Sequence, residues 1–209
     1  MTLQETHAVP SPQMPVSSGN PCPFLRALVA GGWLNDDVER LTKVRDTLLQ
    51  ASGQNEKGGK ILVIAAIANG LSPAALLRNV REGLHLGMLR DGPLNKHGSG
   101  SRILDAHGQF QPEELQRLAS FASTKRTLQG DSELGLSSHE VTAMMNANFE
   151  RARATRRRID RALMDGEWPV LLEVLGKDDA DGARYLGVED VRALFQDRRL
   201  PQRLAERLA

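Results

Sequence analysis

Cys22 is the only cysteine of the chain, and it stands between two prolines in Asn20-Pro21-Cys22-Pro23-Phe24. Pro23 has no N–H to lose and a preset φ, so it suits the first position of a helix and makes Cys22 the capping residue. The N–H groups of that first turn point back toward the sulfur and favour its thiolate, the form that ligates metals and attacks electrophiles. A free thiol titrates near about 8.5, so without such help little of it is anionic at neutral pH. A buried, inert thiol is the competing reading. The flanking prolines bring the two level.

Glu167, in Gly166-Glu167-Trp168-Pro169, is the second group that could do chemistry. A carboxylate beside a reacting centre can take a proton and return it. The helix macrodipole alone also favours a glutamate at a helix start. His97 lies in a polar, glycine-rich stretch where a solvated imidazole is the ordinary outcome. His85, His107 and His139 lack metal-ligand spacing among themselves.

Three other patterns fail on inspection. In Asp178-Asp179-Ala180-Asp181-Gly182, aligning Gly182 to the glycine of a calcium loop puts Lys177 at the first ligand position and Val188 at the last, so a solvated turn is expected. Gly98-Ser99-Gly100-Ser101 has no Gly-Lys-Ser/Thr after it to make a phosphate loop. The arginines from Arg151 to Arg161 are broken by Asp160, follow Glu150 and carry no interleaved aromatics, which reads as the solvated side of a long helix rather than a nucleic-acid face.

The elements that must position these groups read as helices. Phe24, Leu25, Leu28 and Val29 follow Cys22 and stop at Gly31-Gly32. Asn35 caps the next helix, with Val38, Leu41, Val44 and Leu48 along one face and Gly53 at its end. Ile61 to Ala68 is apolar on every side; its length and neighbours favour a core helix, with a strand the alternative that Val63, Ile64 and Ile67 leave open, and it is far short of the roughly twenty residues that cross a bilayer. Ser72-Pro73 opens an amphipathic helix with Leu76, Leu77, Val80 and Leu84. Gly87 to Gly108 is loop by composition. Gln111-Pro112 starts another helix, and Ser137-x-x-Glu140 is a capping box before a longer one bearing Val141, Met144, Met145, Phe149 and Ala152 inward. Trp168 to Leu175, Val188 to Phe195 and Pro201 to Leu208 complete the series. No segment alternates with period two, so the expected class is all-α, a compact single-domain multi-helix bundle.

With 209 residues the chain can bury a real core. Residues 1–19 carry Pro10, Pro12 and Pro15 among polar neighbours and read as a flexible N-terminal arm, leaving 20–209 as the domain. A net charge of +1 supplies no global field to recruit nucleic acid or an anionic membrane. A lone cysteine cannot close an intrachain disulfide, and the first twenty residues lack a secretory apolar stretch, so a reducing cytoplasm is the expected compartment.

Three stretches carry a resemblance to a known family. Pro21-Cys22-Pro23-Phe24-Leu25-Arg26-Ala27-Leu28, running into Gly31-Gly32-Trp33-Leu34, resembles the proximal haem motif of the haem-thiolate peroxidases, the family of chloroperoxidase and the unspecific peroxygenases. Ser99-Gly100-Ser101-Arg102 keeps the Ser-x-Ser-Arg half of that family's acidic motif. Gly166-Glu167-Trp168, with Leu171 to Gly176 and Phe195-Gln196-Asp197-Arg198-Arg199-Leu200-Pro201, is similar to its distal segment.

The resemblance implies a divergent member with the chloroperoxidase fold, binding haem b with Cys22 as axial iron ligand and Pro23 beside it. It implies Glu167 as distal acid–base, hydrogen peroxide as oxidant and a small organic molecule as substrate. Relatives hold a magnesium or manganese ion with the motif's glutamate and first serine. Ser99 matches that serine, but Asn95 replaces the glutamate and weighs against the ion; Lys96 or Arg102 could pair with a haem propionate instead. Read one place along, the motif makes His97 a distal partner of Glu167. Two other classes stay open: a non-catalytic haem-binding sensor or storage protein, and a cofactor-free helical interaction protein.

Overall fold

The computed structural model describes residues 14–53, 58–70, 72–91 and 98–209. Among them lie ten α-helices and six short strands. The mixture overturns the all-α expectation: the helices share the molecule with two antiparallel sheets.

Helix α1 (Pro23–Ala30) is the centre of the molecule, and every one of its eight residues is buried. Cys22 caps it in extended conformation, Pro23 occupies the first helical position, and Gly32 ends it at φ 79°, where a side chain would be strained. Phe24, Leu25 and Leu28 pack into one continuous apolar cluster with residues from most other helices.

The chain next forms β1 (Val38–Glu39) rather than the start of a helix. Asn35 does not cap: its backbone N–H and side-chain amide donate to the buried Glu39 carboxylate at 2.9 and 3.1 Å, and Lys43 reaches the same carboxylate at 3.0 Å. Helix α2 (Leu41–Ala51) therefore begins after Arg40, turns Val44, Leu48 and Ala51 inward, and packs on α3 (Gly58–Ala68). Ile61, Ala65 and Ala68 of α3 are buried, but Val63 on its outer side is exposed, so the helix is only partly core.

Helix α4 (Pro73–Arg81) starts as read, with the Ser72 hydroxyl accepting the Ala75 N–H at 3.1 Å. Its apolar side faces outward, with Leu76, Leu77 and Val80 exposed by 44%, 49% and 72%. Asn79 takes the inward position and donates to the Ala66 carbonyl at 3.2 Å. After it, β2 (Leu84–His85) pairs antiparallel with β1, and a tight 3-10 turn over Leu86–Asp91 runs into the stretch read as loop.

Helix α5 (Pro112–Ala119) leads into the second sheet, built from β3 (Ser123–Arg126), β4 (Ser132–Ser137), β5 (Lys177–Asp178) and β6 (Arg184–Gly187) in the order β3-β4-β6-β5. Gly135 of β4 pairs with Ser123 on one side and Gly187 on the other. A Cβ there would stand 2.3 Å from the Tyr185 ring, so only glycine lets that ring lie against the strand.

The remaining helices follow in order: α6 (Ser138–Arg151), α7 (Ile159–Asp165), α8 (Trp168–Leu175), α9 (Val188–Phe195) and α10 (Gln202–Ala205). Ser137 and Glu140 form the capping box of α6, with the Ser137 N–H donating to the Glu140 carboxylate at 2.7 Å. The arginine-rich stretch does not extend this helix. It breaks after Arg151, and several of its charges are paired: Arg151 with Glu114 at 2.7 Å, Arg157 with the buried Asp160 at 2.8 Å and Arg161 with Asp165 at 3.1 Å. Asp178 to Gly182 forms the β5–β6 turn, where the Asp179 carboxylate accepts the N–H groups of Asp181 and Ala183.

Residues 14–19, read as part of the arm, are held against the body. The Met14 N–H donates to the Ala30 carbonyl at 2.9 Å and the Arg90 N–H to that of Gly19 at 2.8 Å. Gly19 lies so close to Gly87 that a Cβ would stand 1.8 Å from its carbonyl oxygen. Among the described residues no helix is long and apolar enough to cross a membrane.

Candidate functional site

A cavity of about 830 Å³ opens at the N-terminal end of α1. Cys22, Pro23, Glu167 and Arg102 all line it, although 145 positions separate the cysteine from the glutamate. The volume falls within the about 300–1,000 Å³ of cofactor and ligand sites.

Each wall follows from local structure. Cys22 reaches the cavity because α1 begins there: its carbonyl accepts the Arg26 N–H at 2.9 Å, the first bond of the helix, and its N–H donates to the Asn20 side chain at 3.2 Å. Arg26, one turn on, is buried and donates to the carbonyls of Ser17 at 2.9 Å, Asn20 at 3.0 Å and Gly108 at 3.4 Å. The guanidinium thus fastens the approach to Cys22 onto the opposite loop. Burial pulls Arg26 below the ordinary arginine range, and the positive charges of Arg198 and Arg90 add to the effect.

Ile61, Ile64, Ala65, Ile67 and Ala68 form a stripe of α3 along one side. Facing them are Ala162 and Leu163 of α7, then Gly166 and Glu167 at the joint and Val170 and Leu171 of α8. Glu167 caps α8 directly ahead of Trp168, which anchors the joint in the core. The carboxylate therefore stands at the edge of an aliphatic wall.

The opposite rim is polar, with Arg90, Ser101, Arg102, Asp105, Gln111, Glu113 and Glu114. Two of its carboxylates are committed elsewhere. The Asp105 carboxylate accepts the N–H groups of Gln109 and His107 at 2.8 Å each, which hold it below the usual carboxylate range, the Gln109 bond foremost. Burial raises Glu114, but Arg151 and Arg117 overcome it and leave the carboxyl depressed. Arg102 adopts φ 61°, a conformation side chains rarely take, and its Nε donates to the Gly98 carbonyl at 2.8 Å. Holding a non-glycine residue there costs roughly 1–3 kcal/mol, borne by the surrounding loop.

Of the residues singled out from sequence, Cys22, Pro23, Glu167 and Arg102 are brought together. Ser99 is fully buried and does not line the cavity, whereas its neighbour Ser101 does. Lys96 and His97 lie outside the described residues, as does Asn95. Among the described residues no group of three or more histidine, cysteine or acidic side chains gathers to hold a metal ion, while a haem iron needs only one axial side chain from the protein. Sequence reasoning missed Arg26, whose place in an apolar helix between Leu25 and Ala27 was its one signal, and Arg90, which had none.

No family model, no curated protein and no solved structure matches this chain.

Proposed function

We propose that this chain is a haem-thiolate peroxidase or peroxygenase that uses hydrogen peroxide to oxidise a small organic molecule. One observation carries the reading: the only cysteine, at the start of a fully buried helix, and the glutamate matching the distal acid–base line the same large, mainly apolar cavity.

The residues fit the group. Cys22 offers its sulfur at a helix N-terminus, the aliphatic stripes of α3 and α8 suit the faces of a porphyrin, and Arg102 on the rim suits a propionate carboxylate. Haem b, when bound, supplies an iron whose thiolate ligand favours cleavage of the peroxide O–O bond. The Glu167 carboxylate would hold a proton at its oxygens, taking it from one oxygen of hydrogen peroxide and handing it to the other, the transfer that cleavage at a bound haem would need. The aliphatic wall excludes bulk water from the organic molecule and holds it by burial of its apolar surface. The Arg26 clamp keeps the Asn20–Cys22 approach in place through the cycle.

The test compares parent protein with Glu167→Gln in peroxide-driven oxidation of an aromatic reporter. Loss of a general acid–base lowers the rate about a hundredfold or more. Equal rates would remove Glu167 from the mechanism.

The outward apolar face of α4 favours a second reading, a helical interaction protein without cofactor. On that reading hemin added to the purified chain stays unbound.

A further inference from the structure

A second, outer groove of about 400 Å³ runs along the far side of the cavity wall. It is lined by Lys60, Val63, Asp165, Pro169 and Glu173, and it shares Ile64, Gly166 and Val170 with the main cavity. Among the described residues these three line both spaces, and one of them has no side chain.

Nothing in the backbone demands glycine at 166. Its φ is −82°, open to any residue, and a Cβ would meet only the carbonyl oxygens of Leu163 and Ala162, at ordinary contact distances of 3.5 and 3.7 Å. Space, rather than conformation, is what this glycine provides. Because Gly166 lines both groove and cavity, a longer side chain there takes up space where the two adjoin.

The two openings differ in chemistry. The rim near Cys22 carries Arg90, Arg102, Asp105 and Glu113, so a polar molecule such as peroxide keeps hydrogen-bond partners as it enters. The outer groove is lined by the apolar Val63, Ile64, Pro169 and Val170 together with Lys60, Asp165 and Glu173, so an apolar molecule gains burial against its aliphatic residues as it sheds water.

We infer that the gap at Ile64, Gly166 and Val170 is an entrance for apolar organic molecules, separate from the charged rim that admits small polar ones. That such a molecule is a substrate rests on the peroxidase reading; the passage itself belongs to the cavity and does not require haem.

Cys22, as the only thiol of the chain, reports on entry. In the 209-residue chain without added hemin, the rate of Cys22 modification is measured with two reagents, hexyl methanethiosulfonate and the anionic sulfonatoethyl methanethiosulfonate. In each the thiolate forms a mixed disulfide and methanesulfinate leaves. Gly166→Leu is expected to slow the hexyl reagent at least about fivefold while changing the anionic one less than about twofold. Val170→Phe narrows the gap from the other side, so it repeats the result if Gly166→Leu does not fold, and Ile64→Ala quickens the hexyl reagent. An unchanged hexyl rate in the narrowed variants, or equal slowing of both reagents, overturns the proposal. Failure of the parent chain to bind hemin would remove the substrate assignment and leave these rates untouched.

Discussion

The indole of Trp168 lies nearly parallel to the ring of Phe195, their centroids 6.2 Å apart and their planes 9° from coplanar. Trp168 follows Glu167 directly, and Phe195 lines the cavity, so this stack joins the first turn of α8 to α9 at the edge of the site. Replacing Trp168 by Ala removes a fully buried aromatic, and an unfolding titration in urea should show a loss of about 3–5 kcal/mol. A loss under about 1 kcal/mol would mean that the joint is not anchored there.

Arg26 ties Ser17, Asn20 and Gly108 together through one buried guanidinium. Arg26→Met leaves those carbonyls without their donor and should cost about 2–4 kcal/mol. Lysine should not restore it, because a single ammonium cannot reproduce the planar fork that spans three acceptors. Hydrogen exchange over residues 14–20 would quicken in both variants, and protection unchanged from the parent would contradict the clamp.

Glu140 makes stability depend on pH. Burial raises its carboxyl, but hydrogen bonds from Ser123 and Ser137, with the Lys125 ammonium at 3.0 Å, outweigh burial and leave it at about 2. A folded-state value below the unfolded one contributes stability above the unfolded pKa and loses it as pH falls toward the folded value. At neutral pH the contribution is about 2–3 kcal/mol, fading between about pH 5 and pH 2. The unfolding free energies of parent and Glu140→Gln should therefore differ at pH 7, draw together as pH falls below about 5, and converge only near about pH 2. A constant difference would show that the carboxylate is not the linked group.

The helices with strong caps were legible in the sequence. Pro23, Ser72, Pro112 and the Ser137–Glu140 pair each mark a start that the structure keeps. The sheets were not, and their burial explains why. Strand β3 reads Ser-Thr-Lys-Arg with no buried residue, while β4 exposes Leu134 and buries the adjacent Gly135 and Leu136, so no two-residue alternation reaches the sequence. Val38 fits the 3.6-residue series of α2 and still pairs with His85, because the pull of Asn35 on Glu39 holds the chain extended.

At the site, Cys22 and Glu167 were recognisable by neighbours that demand helix starts, Pro23 and the Trp168-Pro169 pair. Arg90 and the aliphatic stripe of α3 were not, since their approach to Cys22 is made by tertiary packing alone. An apolar helix of period-free sequence does not announce which side faces a cavity and which faces the core.

The most direct test of the account is the spectrum of the purified chain after hemin is added and the sample is reduced under carbon monoxide. Thiolate ligation through Cys22 predicts a red-shifted Soret band in the parent and its absence in Cys22→Ser. A parent chain that stays colourless, or a thiolate spectrum that persists in Cys22→Ser, would contradict it.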